Sequence, residues 1–257
     1  AKIRLKGDYV DHLQSNKWSY RVKINNGKTL LGMNKFSLQS PITRNYIWEW
    51  VFHELLRYEG LPSLRYYFRP LIVNGNHRGI YAVEEHFDKI FLEANGYKES
   101  PILKFSEKFY WEKKVNKLPR KNFYKKSFST GFQLNKISKN ETLISNFKVA
   151  NQLLNGFHKN LLNTSEVFDI EKLSKYFAIV DLVNAYHGAN WHNIRFYYDP
   201  FLSKLIPIGF DGDTNENPLQ YLSIESSDKF RSDIFKDIKF TKAYIKNLQR
   251  ISQRSYL

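Results

Sequence analysis

The apolar residues of this chain change their spacing after about the first forty positions, and that switch limits the fold more than any single motif does. Ile3 and Leu5 alternate with Lys2, Arg4 and Lys6, and Tyr20, Val22 and Ile24 alternate with Arg21 and Lys23. Phe36 and Leu38 form a third short alternation. A period of two places apolar side chains on one face of a strand and charged ones on the other. Asn25-Asn26-Gly27 is a turn signal between such strands. Over 44–58 the spacing becomes helical, with Ile47, Trp50, Val51, Leu55 and Tyr58 expected on one inward face, and Gly60 and Pro62 are the stop.

Beyond that helix, 66–73 and 79–83 read as a hairpin around Asn74-Gly75-Asn76-His77. A short helix is expected over 87–94, and a Lys- and aromatic-rich irregular segment over 106–137. Helices are expected over 141–162 and 169–186, the second capped by Asp169 with Leu173, Phe177 and Val180 inward. Two strands flank Pro200, and the rest reads mostly as helix. A strand-rich first third followed by a helix-rich remainder predicts an α+β protein in two lobes, residues 1–90 and 91–257, with the boundary region near 84–100.

Composition narrows the function classes. The 257 residues hold no cysteine, which excludes a disulfide framework and a zinc–thiolate site. No apolar stretch approaches the length of a membrane-spanning helix, so no membrane span is expected. The formal charge of +15 favours an anionic partner, although a basic solvated surface accounts for part of it. Phe105 to Lys126 is basic and aromatic enough to stack on single-stranded nucleic acid, but it carries no nucleic-acid motif, so nucleic acid is not the expected partner. Zinc-protease spacing and a nucleophile elbow are both missing.

The chemistry-bearing segment is Gly209-Phe210-Asp211-Gly212-Asp213-Thr214, which follows the buried-strand pattern Leu205 to Ile208. Two carboxylates on a short turn at a strand end suit a hard cation such as Mg²⁺. A second polar knot, His187-Gly188-Ala189-Asn190-Trp191-His192-Asn193, precedes the strand Ile194 to Tyr198. Asn193 and Asp211 are the first metal candidates and Asp213 the next; an Asp-Gly turn without metal is the competing reading.

Ile3-Arg4-Leu5-Lys6-Gly7, Ser19 to Lys23, Asn74-Gly75 with Gly79-Ile80-Tyr81, and Phe210 to Asp213 occur in the order found in the spore coat protein H (CotH) kinase family, which the chain resembles over roughly residues 2–215. The resemblance implies an atypical protein-kinase fold and transfer of phosphate from ATP, with Mg²⁺, to Ser or Thr of a partner protein. It also implies a spore-surface, envelope or extracellular setting. On a kinase template Gly7 lies in the loop over the phosphates. Lys35 is the first choice for the phosphate-pairing lysine, with Lys6 and Lys23 as rivals, and Glu54 is its expected acidic partner. Glu84 and Glu85 lie at the hinge, touching ribose or capping the next helix. The family pattern commonly has an Asp several residues before the metal-binding Asn. Residues 187–192 hold none, and Gly188 or Asn190 stands near that place. His187, expected at the end of helix 169–186, is then the base, with His192 turned away. The missing Asp equally favours a pseudokinase-like module, and the charge favours a polyanion-binding surface domain.

Overall fold

Register explains the first sheet. A computed structural model describes residues 1–6, 17–108, 111, 123–214 and 221–256. Strands β1 (Lys2–Leu5), β2 (Tyr20–Lys23), β3 (Lys35–Gln39), β4 (Tyr66–Val73) and β5 (Asn76–Glu85) pair antiparallel in the order β1-β2-β3-β5-β4. Lys2 faces Lys23, which faces Lys35; Arg4 faces Arg21, which faces Ser37, then Glu84 and Tyr66. Directly opposed residues share a face, so these polar side chains form one surface of the sheet. Val22, Phe36 and Val83 pack with Met33 on the other. Asn74 and Gly75 take φ of 51° and 77°, both left-handed, as a two-residue hairpin turn requires.

Helix α1 (Trp48–Tyr58) corrects the expected inward face. Glu49, Phe52, His53 and Leu56 are buried, whereas Ile47, Trp50 and Tyr58 are 56%, 40% and 76% exposed. The buried set also has helical spacing, but two of its members are titratable, so a hydropathy reading passes over them. Residues 44–47 lie outside the helix: a 3-10 turn over Pro41–Arg44 runs into Asn45 and Tyr46, both left-handed. Helix α2 (Lys89–Ala94) is capped by Asp88, which accepts from Phe91 N at 3.0 Å, so neither Glu84 nor Glu85 is its cap.

A second sheet joins the two strands expected around Pro200 to two further strands that were not expected. Strands β6 (Ile102–Phe105), β7 (Ser129–Gly131), β8 (Arg195–Asp199) and β9 (Lys204–Ile208) pair antiparallel in the order β7-β6-β8-β9. The segment 106–137 is therefore not wholly irregular: besides β7 it has single helical turns at Phe123–Lys126 and Leu134–Ile137, while 109–110 and 112–122 lie outside the described residues. Strands as short as β6 and β7 offer too few residues for alternation to register.

Helices α3 (Glu141–His158), α4 (Ile170–Leu182), α5 (Lys229–Ile234) and α6 (Ile238–Ile251) complete an α+β protein. Asp169 caps α4 by accepting from Lys172 N at 3.1 Å. Leu173, Phe177 and Val180 are fully buried, each side chain contributing about 1.5–3 kcal/mol of hydrophobic stabilisation. Helix α4 is the centre of the main core: Tyr176 meets Phe52 of α1 edge-on, and Asp181 holds Tyr244 of α6. It ends at Leu182, earlier than expected, because Asn184 turns left-handed with φ 55° and Ala185 N bonds back to Val180 O. His187 consequently belongs to the loop after α4. Among the described residues no helix is long and apolar enough to cross a membrane.

Candidate functional site

The acidic turn is fixed by the elements beneath it. Gly209 N donates to Pro62 O at 3.1 Å, and a Cβ at Gly209 would sit 2.0 Å from Leu56 Cδ1, so any side chain here would have to displace the buried Leu56. Asp211 and Asp213 follow with φ of 51° and 50°. Such left-handed backbone is uncommon outside glycine but tolerated by Asp, and it needs outside support. Glu49 supplies that support. Fully buried on α1, it accepts from Gly212 N at 3.0 Å and Asp213 N at 3.2 Å. Burial alone would raise its carboxyl pKa, yet His53, 3.5 Å away, and Arg44 hold it below the usual carboxylate range.

The loop after α4 packs against the same turn. His187 Nδ1 lies 2.9 Å from Asp211 O and 3.5 Å from Asp211 Oδ2. A carbonyl can only accept, so Nδ1 carries a proton, and in the neutral tautomer Nε2 is then the nitrogen with the lone pair. Asn193 Nδ2 donates to His187 O at 3.2 Å and Asp211 O at 3.1 Å, which assigns the amide nitrogen and leaves its oxygen as the atom for a cation. The 3.3 Å approach of Nδ2 to His187 Nδ1 sets two donors face to face and is no hydrogen bond. The rings of His187 and His192 meet edge-on with centroids 5.9 Å apart. Gly188 lies directly under the turn: a Cβ there would stand 3.0 Å from Phe210 O and 3.2 Å from Tyr176 Oη. A carboxylate side chain at that position would force the turn to move.

Two cations from the first sheet's side meet these acids. Arg44 Nη2 reaches Asp211 Oδ1 at 2.7 Å. Burial works against its charge, but Asp211, Glu84 and Glu49 raise its pKa above the ordinary arginine value. Lys6 Nζ bonds Glu84 Oε2 at 2.7 Å and Gln39 Oε1 at 2.9 Å. Burial would lift the pKa of Glu84; Lys6 and Arg44 depress it instead. Asp213 differs. Burial pushes its pKa up, with Asp211 and Glu49 adding to the rise, against the opposite pull of His187 and Arg44. Asn45 Nδ2 donates to it at 3.3 Å.

The predicted residues are thus distributed unevenly. His187, Asn193, Asp211 and Asp213 come together, and the Lys6–Glu84 pair feels the same Arg44 charge that holds Asp211. Glu54 does not take part: it faces outward and pairs with Arg57 on its own helix, so the expected Lys35–Glu54 pair does not form. Glu85 points to the opposite sheet face and pairs with Arg65. Lys35 and Lys23 stand at the far end of their strands, four positions along β3 from Gln39. Gly7 lies outside the described residues. Sequence reasoning missed Arg44 and Glu49. The 49, 52, 53, 56 spacing was a signal for Glu49; Arg44 had none.

The donor set was tested against Mg²⁺. Asp211, Asp213 and the Asn193 amide offer the hard oxygens this ion needs. Buried Asp211 Oδ1 accepts no directed hydrogen bond and is held only by the charge of Arg44. The residues fit, with Arg44 in direct competition for that oxygen. Among the described residues no group of three or more His, Cys, Asp or Glu gathers as a metal cluster, so phosphate oxygens would have to complete any shell.

An α+β protein with a carboxylate turn held beneath a charged sheet face is the class that fold and site define. Within it, the chain belongs to the CotH kinase protein family, whose model matches residues 3–251. No curated protein matches it.

Proposed function

We propose that this protein is an ATP- and Mg²⁺-dependent phosphotransferase of the CotH type acting on Ser or Thr of a partner protein. In this reading residues 1–90 and 91–257 form two lobes of an atypical kinase, and the nucleotide lies between the polar face of the first sheet and the Asp211 turn. The observation that carries it is Glu49 holding the backbone of Gly212 and Asp213, which keeps two carboxylates on one rigid turn beside Asn193. Asp211, Asp213 and Asn193 would hold Mg²⁺, which neutralises charge on the nucleotide phosphates when bound. Lys6 is the cation best placed to face those phosphates, and Glu84 orients it. His187 Nε2 takes the proton of the acceptor hydroxyl as its oxygen bonds the terminal phosphorus. The bond to the bridging oxygen breaks, and ADP leaves.

The test is incubation of the purified chain and a protein acceptor with radiolabelled ATP, with and without Mg²⁺. Metal-dependent labelling supports the proposal, and His187→Ala should then lower the rate about 10²-fold, as loss of a general base does. A second reading, nucleotide binding without efficient transfer, is favoured by the two residues near the place of the family's Asp: Gly188 has no side chain, and Asn190 accepts from Arg231 Nη2 at 3.0 Å. Binding of Mg²⁺-ATP without labelling would select it.

A further inference from the structure

Across β1, β2 and β3 the strand register sets like charges directly opposite one another. Lys2 faces Lys23, Lys23 faces Lys35, and Arg4 faces Arg21. Opposed like charges on neighbouring strands destabilise a sheet, and a sheet gains nothing from such an arrangement on its own. Among the described residues no carboxylate forms an ion pair with Lys2, Arg4, Lys23 or Lys35. Lys35 is half-buried, and its ammonium pKa is lowered first by burial and then by Arg21, Lys23 and Arg4, against the opposing pull of Asp88. His86, which follows β5 and bonds Lys35 O through its backbone, is pushed down to about 3, by burial and then by Lys35 and Arg21. The uncompensated charge opens onto a cavity of about 420 Å³ lined by Lys23, Asn34, Lys35, Asp88, Lys89 and Lys136. Lys89 and Lys136 are already matched by Glu99, so Lys23 and Lys35 carry the excess charge, with Asp88 the one carboxylate among the described residues of the cavity wall. Asn34 Oδ1 is buried without a hydrogen-bond partner. Turning the amide over would present its NH₂ group instead, and an anion satisfies that group.

We propose that this cation ladder and its cavity form a phosphate-anion site, distinct from the Asp211 turn and independent of metal. Gln39, where Lys6 joins the acidic network, lies four residues along β3 from Lys35, about 13 Å at strand rise. The two ends of the sheet face are therefore separate in charge as well as in place. The ligand is a group bearing clustered phosphate oxygens, either free or as part of a nucleotide. Several weakly paired ammonium groups suit such a diffuse anion better than a single carboxylate.

The experiment titrates inorganic tripolyphosphate into the whole chain in EDTA, by calorimetry and by thermal unfolding. Wild type should bind, and its Tm should rise with ligand. In Lys23→Gln/Lys35→Gln the ligand-free Tm should increase, because repulsion is relieved, while tripolyphosphate affinity falls at least about tenfold, as expected for loss of charge-assisted hydrogen bonds. Lys242→Gln/Lys246→Gln, on the exposed side of α6, should bind as wild type does. Asp211→Asn should also bind as wild type, which separates this site from the metal-nucleotide reading whether or not that reading survives. Adding Mg²⁺-ATP shows which source fills the ladder: competition in wild type but not in Asp211→Asn means that the nucleotide's own phosphates reach it. Unchanged binding in the double lysine variant, or loss in Asp211→Asn equal to that in the lysine variant, would overturn the proposal.

Discussion

Two charged regions occupy the same face of the first sheet, and they are organised by opposite rules. At one end each of these buried charges has a partner: Arg44 pairs with Asp211, Lys6 with Glu84, and Glu49 accepts from two backbone N–H groups. At the other end Lys2, Lys23 and Lys35 stack cation on cation. A buried charge survives only when it is paired and hydrogen-bonded, so the first region is self-sufficient as a structure. Half-exposed like charges survive without partners because water screens them, and they still cost something. The acidic turn therefore holds its shape through its own partners, whereas the lysine ladder lacks such partners and is where we propose that an anion binds.

Removing the support of the acidic turn should have the largest effect. Glu49→Gln replaces an acceptor of two N–H groups by one that must turn a donor toward one of them. Loss of the charged acceptor and an unsatisfied buried group together should cost about 3 kcal/mol in chemical denaturation. The pH dependence gives the sign. Because the Glu49 pKa is depressed on folding, its contribution is full above the unfolded carboxylate pKa of about 4.3 and is lost as pH falls through the lower folded value. The acid limb of the stability profile should therefore be shallower in Glu49→Gln than in wild type. An identical limb would mean that Glu49 is not what ties stability to pH.

Arg44→Gln sharpens the comparison from the cation side. Arg44 and a divalent ion compete for Asp211 Oδ1, so removing the guanidinium should tighten Mn²⁺ binding, read by its electron paramagnetic resonance signal, by about tenfold, the equivalent of 1.4 kcal/mol. Weaker Mn²⁺ binding would show that Arg44 positions the turn rather than competing for it. The smallest effect belongs to Glu54→Gln. Its partner Arg57 and Glu54 itself are 44% and 39% exposed, and such surface pairs contribute well under 1 kcal/mol, so nucleotide binding and Tm should match wild type. A lost activity here would restore the Lys35–Glu54 pairing that the sequence suggested.

How far the sequence could be read follows from the physics of each element. The first-sheet strands and helices α3 and α4 were legible because alternation and 3.6-residue spacing persist over several turns or pairs. The second sheet was partly hidden, because β6 and β7 are too short to show a period. The acidic turn was visible as Asp211-Gly212-Asp213, a local motif. Its supports were less so. Glu49 reaches Gly212 across 163 residues of chain, and Arg44 reaches Asp211 from the 3-10 turn that precedes α1. Local patterns do not encode such pairings. Charge alternation in β1 and β2 was plain, but only the register revealed that Lys23 has a lysine on each side.

Asp211 is the proposed anchor of a metal-dependent nucleotide site. The most direct measurement is calorimetric titration of ATP into wild type and Asp211→Asn, each with Mg²⁺ and with EDTA, after circular dichroism has shown both to be folded. Mg²⁺-dependent binding is expected in wild type and its loss in Asp211→Asn, because the amide keeps the shape of the side chain and removes the charge that a hard cation requires. Equal Mg²⁺-dependent affinity in the two proteins would contradict it.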